Sequence, residues 1–184
     1  MQKEPKLLHV RIYGDDILHL KAEEVGQIDD ALLEYIEDLT HTMYVRDGVG
    51  LASPQVGISK RIFVIDPYWS REGRGKEPIV MINPLIESRS GETETEEGCI
   101  SVPGIFSYVT RPSQITVSYT NLKGERVKTE LSGFPAVVAQ HEYDHLDGIL
   151  FVDRLGTIAR LKLKLKLKEL AKTTVNGVNI LNGP

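Results

Sequence analysis

Residues 140–145 read Gln-His-Glu-Tyr-Asp-His, and the H-E-x-x-H pattern within them is the starting point for interpreting the chain. In a helix, His141 and His145 lie one turn apart on the same face, so both imidazoles can bind one metal ion. Glu142 directly follows the first histidine, and its carboxylate can take a proton from a water held by that metal. The motif therefore predicts a helical metal site with a base beside it.

The residues around this motif predict where the helix begins and ends. Pro135 suits a first helical turn, where its missing N–H costs nothing, and Gly148 suits the left-handed position just past the end. Residues 136–139 form an apolar run between them, which predicts a buried helix. Buried histidine and glutamate side chains need a compensating partner, and a metal ion supplies one. The alternative is a surface helix with scattered polar residues, which requires the spacing, the order and the apolar run to coincide by chance.

Length and composition predict a single globular domain over residues 1–184. The chain is 41% hydrophobic and 26% charged, as ordinary soluble proteins are. Its formal net charge of −4 argues against a general nucleic-acid binder. The lone cysteine, Cys99, excludes an internal disulfide framework and fits a reducing compartment. No stretch is long and apolar enough to span a bilayer, and residues 1–5 lack the apolar core of a secretory signal. We therefore expect a cytoplasmic protein with no membrane partner.

An N-terminal helix is predicted by capping and periodicity. Asp29 or Asp30 is a suitable N-cap for a helix of about four turns that ends by Gly48. Apolar residues recur at helical spacing and form a core stripe. The stripe consists of Leu32, Ile36, Leu39 and Met43.

Several strands are predicted between this helix and the histidine motif. Runs rich in β-branched residues lie at 61–66, 79–82, 107–111, 114–119 and 126–131. Asn83-Pro84 is expected to close the second strand, and the acidic run at 92–97 is expected to be a solvated surface. We predict an α+β fold, with antiparallel or mixed β-sheets packed around the central H-E-x-x-H helix and with an N-terminal and a C-terminal helix.

Residues 48–57 contain three glycines and a proline, so we predict a loop whose backbone lies close to another group. The segment could be mistaken for a phosphate-binding loop. The Lys-Ser/Thr pair that such a loop requires is absent. Gln55 is its one strong side-chain hydrogen-bonding group.

Two histidines do not complete a catalytic metal site, which normally has three protein ligands and one position for water. Downstream, where endopeptidases with H-E-x-x-H have their third ligand, the candidate is Glu169. Upstream, Cys99 offers a thiolate, although a lone cysteine is more often a buried hydrophobic residue. Beside a two-histidine site that lacks a ligand, Cys99 becomes the favoured choice.

Three blocks of the sequence resemble those of peptide deformylases, the metallohydrolases that remove the N-formyl group from nascent bacterial polypeptides. Residues 48–55 (Gly-Val-Gly-Leu-Ala-Ser-Pro-Gln) match G-x-G-L-A-A-P-Q, residues 97–101 (Glu-Gly-Cys-Ile-Ser) match E-G-C-L-S, and residues 141–145 match H-E-x-D-H. The likeness runs from about residue 7 to residue 155. Ser53 and Ile100 depart from the family pattern, both mildly.

The resemblance implies one divalent metal ion held by Cys99, His141 and His145. Metal-bound hydroxide would attack the formyl carbon of N-terminal formylmethionine, with Glu142 as general base and then general acid, and formate would be released. Ligand type alone permits Zn²⁺, Fe²⁺, Co²⁺ or Ni²⁺. The resemblance favours Fe²⁺ in a bacterial cytoplasm.

The resemblance also implies residues that bind the substrate. The Gln55 side chain and the Ile100 backbone N–H would stabilise the oxyanion, and Gly50 would let the loop backbone pair with the peptide. For the methionine side chain, the candidates are four apolar residues that could equally belong to the core. They are Val49, Phe134, Val137 and Val138.

Residues 161–168 alternate Leu and Lys, a period that normally indicates a strand. Leu and Lys both favour helices, however, and the run has no β-branched residue. The family resemblance decides between the two, because peptide deformylases tend to end in a helix. We predict a helix over about residues 157–171, with one apolar stripe buried and the other covered by a second subunit or by the ribosome. The two stripes are Ile158, Leu161, Leu165 and Leu163, Leu167, Leu170. The protein would be a monomer or a weak homodimer.

Two other functions are compatible with H-E-x-x-H. An endopeptidase would need a downstream third ligand. A non-catalytic binding protein with a structural metal would need a site closed by four protein ligands.

Overall fold

The central helix begins and ends where the sequence predicts. The computed structural model describes residues 4–181, and helix α2 spans Phe134–Leu146 with Pro135 in its first turn. Gly148 follows its end with a φ of 71°, in the left-handed region. Residues 136–139 are buried, which confirms that the helix lies inside the molecule.

A five-stranded antiparallel sheet packs against α2, in the order β1-β2-β3-β6-β7. Its strands are β1 Gly50–Ala52, β2 Ile62–Ile65, β3 Ile79–Ser90, β6 Gln114–Thr120 and β7 Arg126–Ser132. Residues of α2 such as Ala136 and Ala139 share a core with Phe63, Met81 and Val117 of the sheet. The predicted α+β class with a central helix is therefore confirmed.

Helix α1, Asp30–Val45, covers the other face of the sheet. Asp29 is its N-cap, and the Asp29 carboxylate accepts a hydrogen bond of 2.8 Å from the Leu32 N–H. The predicted stripe is buried and packs against Ile62 and Val64 of β2. Because side chains alternate along a strand, β2 contributes to both cores.

A separate two-stranded sheet joins β4, Thr93–Cys99, to β5, Val102–Arg111. The acidic run at 92–97 was expected to be a solvated surface, and that prediction is only half right. Glu94 and Glu96 are exposed, whereas Glu97 is 6% exposed and faces inward. Strand alternation sends every second side chain to the buried face, which an acidic composition conceals.

Several predictions of local structure were wrong. The strand predicted at 107–111 begins already at Val102, and β4 was not predicted as a strand. Asn83-Pro84 does not close the second strand, because β3 continues to Ser90 through an irregularity in its pairing. Asn83 adopts a φ of 48°, and its side chain pairs with the backbone N–H and C=O of Val25. The segment 48–57 is also more regular than a loop, since it contains β1 and a 3₁₀ helix at Ser53–Val56.

Helix α3 spans Thr157–Leu170, so the predicted C-terminal helix is confirmed. Leu167 is 5% exposed and belongs to a core with β5, while Leu163 and Leu170 pack at its margin. The other stripe is exposed: Ile158 at 75%, Leu161 at 66% and Leu165 at 80%. Among residues 4–181, no helix is long and apolar enough to cross a membrane.

Candidate metal centre and active site

The three predicted metal ligands lie together. One ligand atom from each of Cys99, His141 and His145 falls within 4.8 Å of the others. Cys99 is the last residue of β4, and the two histidines project from one face of α2 with their ring centroids 5.1 Å apart. The Cys99 Sγ lies 3.3 Å from the His145 Nε2. The end of one strand and one helical turn thus form the group.

The chemistry of this group fits a transition-metal ion. A thiolate and two imidazoles are ligands that zinc and iron accept, and three protein ligands leave a position for water or substrate. Glu142 Oε2 is buried and has no hydrogen-bond partner among residues 4–181. A buried carboxylate oxygen of that kind requires a further group, which a cation with a coordinated water would provide.

A buried ion-pair network fixes the orientation of His141. The Glu97 Oε2 lies 2.8 Å from the His141 Nδ1. Burial alone would raise the pKa of Glu97, but its hydrogen bonds with Arg111 and His141 lower that pKa to about 2. Since Glu97 is therefore an acceptor, Nδ1 must donate, and Nε2 is left free to bind a metal.

Arg111 connects this network to α2. Its NH2 group donates to Glu97 over 2.9 Å, and its NH1 group donates to Asp144 over 2.9 Å. Arg154 also pairs with the Asp144 carboxylate. Because Asp144 stands between the two histidines in sequence, the network holds β4, β5 and α2 together at the candidate metal ligands.

Glu142 is buried at a position where its pKa lies close to neutral pH. Its side chain is 4% exposed, and burial raises the pKa of Glu142 to about 7 against the opposing charges of His141 and Arg111. Burial also lowers the pKa of His145 below its usual value, which favours the neutral imidazole that binds metals. A carboxylate of this kind can both take and return a proton.

Gly50 makes room for that carboxylate. A Cβ at Gly50 would lie 2.5 Å from the Glu142 Oε1 and 2.9 Å from its Cδ. Gly50 therefore leaves the space that the Glu142 side chain occupies. Sequence analysis missed this reason for a glycine at position 50. No local signal reveals it, because the two residues are 92 positions apart.

The Gln55 amide is held at the same site. Its Oε1 accepts the Ala52 N–H over 2.8 Å, so its NH₂ group points to Ser101 Oγ at 3.2 Å and to Cys99 Sγ at 3.3 Å. Sequence analysis missed Ser101, although it is the last residue of the second motif block. Ile100 lies in the turn between β4 and β5. The predicted oxyanion donors thus both lie beside the metal ligands.

An open cleft of about 550 Å³ exposes part of this site, and its lining includes Gly50, Gln55, Cys99, His141 and Glu142. The predicted methionine-binding residues all line it: Val49, Phe134, Val137 and Val138. Val138 also belongs to the main hydrophobic core, so the two interpretations of this residue are compatible. Phe106 and Glu96 line the cleft as well, and neither was predicted.

The fold and this cleft define a class, the metal-dependent hydrolases that combine H-E-x-x-H with an upstream cysteine. Residues 7–161 match the family model described as "Polypeptide deformylase", and the chain belongs to that family. Members of the family are metal-dependent.

Named relatives agree with the family assignment over nearly the whole chain. The peptide deformylase of Thermotoga neapolitana is 46% identical over 168 residues, which cover 91% of this chain and 98% of the relative. That of Neisseria meningitidis is 43% identical over 169 residues, covering 92% and 99%. The crystal structure of a peptide deformylase from Legionella pneumophila is similar with a TM-score of 0.81 at 39% identity, covering 89% and 94%.

Proposed function

We propose that this chain removes the N-formyl group from the N-terminal formylmethionine of nascent polypeptides and releases formate. The observation that supports it best is the grouping of Cys99, His141 and His145 next to the buried Glu142, at the base of an open cleft. A single catalytic domain over residues 1–184 would perform the reaction.

Cys99, His141 and His145 would hold one divalent cation. When bound, such a cation supplies a Lewis acid that lowers the pKa of a coordinated water and polarises the formyl carbonyl. The ligand set accepts Zn²⁺, Ni²⁺ or Co²⁺ as well as iron, and the family resemblance favours Fe²⁺ in the cell. Metal analysis of protein purified without oxygen tests that preference.

Glu142 would move the proton. It takes a proton from the attacking water and delivers it to the departing amine nitrogen as the C–N bond breaks and formate leaves. Burial raises the pKa of Glu142 above the ordinary carboxyl value, which favours a carboxylate that can take the proton from water and later return it to the amine. Gly50 keeps the space that this carboxylate needs.

The Gln55 NH₂ group and the Ile100 backbone N–H would stabilise the oxyanion that forms on the formyl oxygen. Gln55 is pre-oriented by the Ala52 N–H and by Ser101, so it needs little reorganisation during the reaction. Residues 49–50 would also offer backbone groups to an extended peptide. The methionine side chain would occupy the apolar part of the cleft.

An endopeptidase would need Glu169 as the third metal ligand, and its position does not fit that role. Glu169 lies in α3 with its side chain 70% exposed, and it pairs with Lys172. The structural-metal alternative needs four ligands, whereas the candidate group in residues 4–181 has three.

Hydrolysis of formyl-Met-Ala-Ser tests the proposal directly. We expect formate release that is abolished by the chelator 1,10-phenanthroline and unaffected by the non-chelating 1,7-isomer. Anaerobic addition of Fe²⁺ should restore the rate. Formate release that survives complete metal removal would contradict the proposed mechanism, and no release by the metal-loaded protein would contradict the function.

For partners, we infer formylated nascent chains in the bacterial cytoplasm and a monomeric or weakly dimeric protein. The exposed stripe of α3 is flanked by lysines, which suit ribosomal RNA phosphates. Truncation after Gly156 tests this: the loss of salt-dependent ribosome binding is expected, and unchanged binding would contradict it.

A further inference from the structure

The C-terminal tail, residues 174–181, lies beyond residue 161, where the match to the family model ends. It runs beside the N-terminal segment, residues 10–13, and the two pair in antiparallel fashion. The Ile12 N–H donates to the Asn179 C=O over 2.9 Å. The tail therefore occupies one edge of the N-terminal segment, in a part of the chain to which the proposed mechanism assigns no role.

The opposite edge of the N-terminal segment contacts the residues around the proposed oxyanion donor. The Arg11 N–H donates to the Gln55 C=O over 2.7 Å. The Tyr13 N–H donates to the Ser101 C=O, also over 2.7 Å. Successive N–H groups of a strand-like segment point to opposite edges, which places the tail on one side and the site on the other. One short segment thus holds two motif blocks that are far apart in the sequence and that meet where the Gln55 amide donates to the Ser101 hydroxyl.

Asn179 fixes the tail to the N-terminal segment. It is 1% exposed, and it is the one buried residue within 174–181. Its Nδ2 group donates to the Tyr13 C=O over 2.7 Å and to the Leu170 C=O over 2.8 Å, while its Oδ1 accepts the Thr173 hydroxyl over 2.7 Å. A buried amide in which every polar atom has a partner specifies one position for the backbone that it contacts.

We propose that Asn179 is a positioning residue for Gln55, and that it acts through the N-terminal segment. The proposal rests on the proposed deformylation, in which the Gln55 NH₂ group stabilises the oxyanion. Tyr13 carries both contacts, since its C=O accepts from Asn179 while its N–H holds the Ser101 C=O. Without Asn179 the segment is released, and Gln55 loses its fixed place relative to the reacting carbonyl. A donor that acts on charge developing in the transition state affects kcat rather than KM.

Asn179→Ala in the full-length, metal-loaded protein tests the assignment with formyl-Met-Ala-Ser. We expect kcat to fall by about tenfold while KM stays within about twofold and metal content is unchanged. Asn121→Ala is the matched control, because the Asn121 side chain also holds a turn by hydrogen bonds, between β6 and β7 and away from the cleft. It should keep its kcat. An unchanged kcat in Asn179→Ala would overturn the proposal, whereas no formate from the original protein would overturn the proposed function instead.

A double-variant cycle separates positioning from a general loss of structure. In a Gln55→Ala protein the oxyanion donor is already absent, so adding Asn179→Ala should lower kcat by less than about twofold. A tenfold fall in both backgrounds would show that Asn179 does not act through Gln55 and would overturn the proposal.

Thr173→Val provides a milder variant should Asn179→Ala fail to fold. It removes the hydroxyl that donates to the Asn179 Oδ1 and leaves Asn179 itself in place. We expect kcat to fall by about twofold to threefold, and to do so only when Gln55 is present. An unchanged kcat, or an equal fall in the Gln55→Ala background, would overturn the proposal.

Discussion

Helices α2 and α3 are of similar length, yet the protein uses them in opposite ways. Nine of the 13 residues of α2 are buried, whereas Leu167 is the one buried residue among the 14 of α3. On α2, Asp144 and His141 are held by ion pairs with β5 and β4, while the charged side chains of α3 project into water. A helix built into the core can hold reacting groups in a fixed geometry, and a helix attached by a single stripe can present a surface.

The sharpest test of α2 is to disable its base and leave its ligands intact. Glu142→Gln removes the carboxylate that we propose accepts the proton, so we expect kcat to fall by about 10²–10⁴. Metal content should remain stoichiometric, because Glu142 is not one of the three grouped ligands. The measurement is formate release together with metal analysis. More than a tenth of the original rate would show that Glu142 is not the general base.

A second change tests how strongly the ion pairs hold α2 in place. Arg111→Gln leaves the buried carboxylates of Glu97 and Asp144 without their shared cation, so we expect unfolding free energy to fall by about 3–5 kcal/mol. Urea denaturation of the metal-loaded protein measures it. Arg89→Gln, on the exposed end of β3, is the matched control and should change stability by less than about 0.5 kcal/mol. Similar losses in both variants would mean that the network contributes little.

The difference between the helices also explains how much could be predicted. The limits of α1 and α2 follow from local signals, such as the Asp29 cap and the Pro135 and Gly148 pair, whereas the choice of a helix for α3 depended on the family resemblance. The full length of β3 was not predicted, because Asn-Pro usually ends a strand. Here the Asn83 side chain bonds to Val25, 58 residues away, and β3 continues past it. The buried side of β4 was hidden for a similar reason, since Glu97 is stabilised by an arginine in another strand.

The candidate site also contains residues that local spacing predicts and contacts that it does not. The candidate ligands His141 and His145 follow from helical spacing, and Cys99 was favoured because the predicted site lacked a third ligand. The contacts that complete the arrangement could not be read from the sequence. Gly50 against Glu142, Ser101 against Gln55 and Arg111 against Glu97 all depend on how the chain brings distant segments together.

A third change, in β1, tests whether the Glu142 side chain of α2 can move without loss of activity. Gly50→Ala places a methyl group 2.5 Å from the Glu142 Oε1, so the carboxylate or β1 must shift. We expect kcat/KM to fall by about tenfold to a hundredfold, as small displacements of reacting groups often cause. Gly26→Ala is the control, because no atom lies within 4 Å of a Cβ at that position. A Gly50→Ala enzyme as active as the Gly26→Ala enzyme would show that Glu142 tolerates displacement.

The smallest effects are expected in α3, where one leucine packs against the core and another is exposed on the surface. Leu167→Ala removes the buried side chain and leaves a cavity beside β5, so we expect a loss of about 2 kcal/mol, at the low end for buried leucines because its neighbours Leu163 and Leu170 are partly exposed. Leu165→Ala removes a side chain that is 80% exposed and should change stability by less than about 0.5 kcal/mol. Both variants should cleave formyl-Met-Ala-Ser at the original rate, since neither residue lines the cleft. Thermal and urea unfolding provide the comparison. If Leu165→Ala were the more destabilising, the exposed stripe would already be covered in solution, and α3 would be an interface between two copies of the chain.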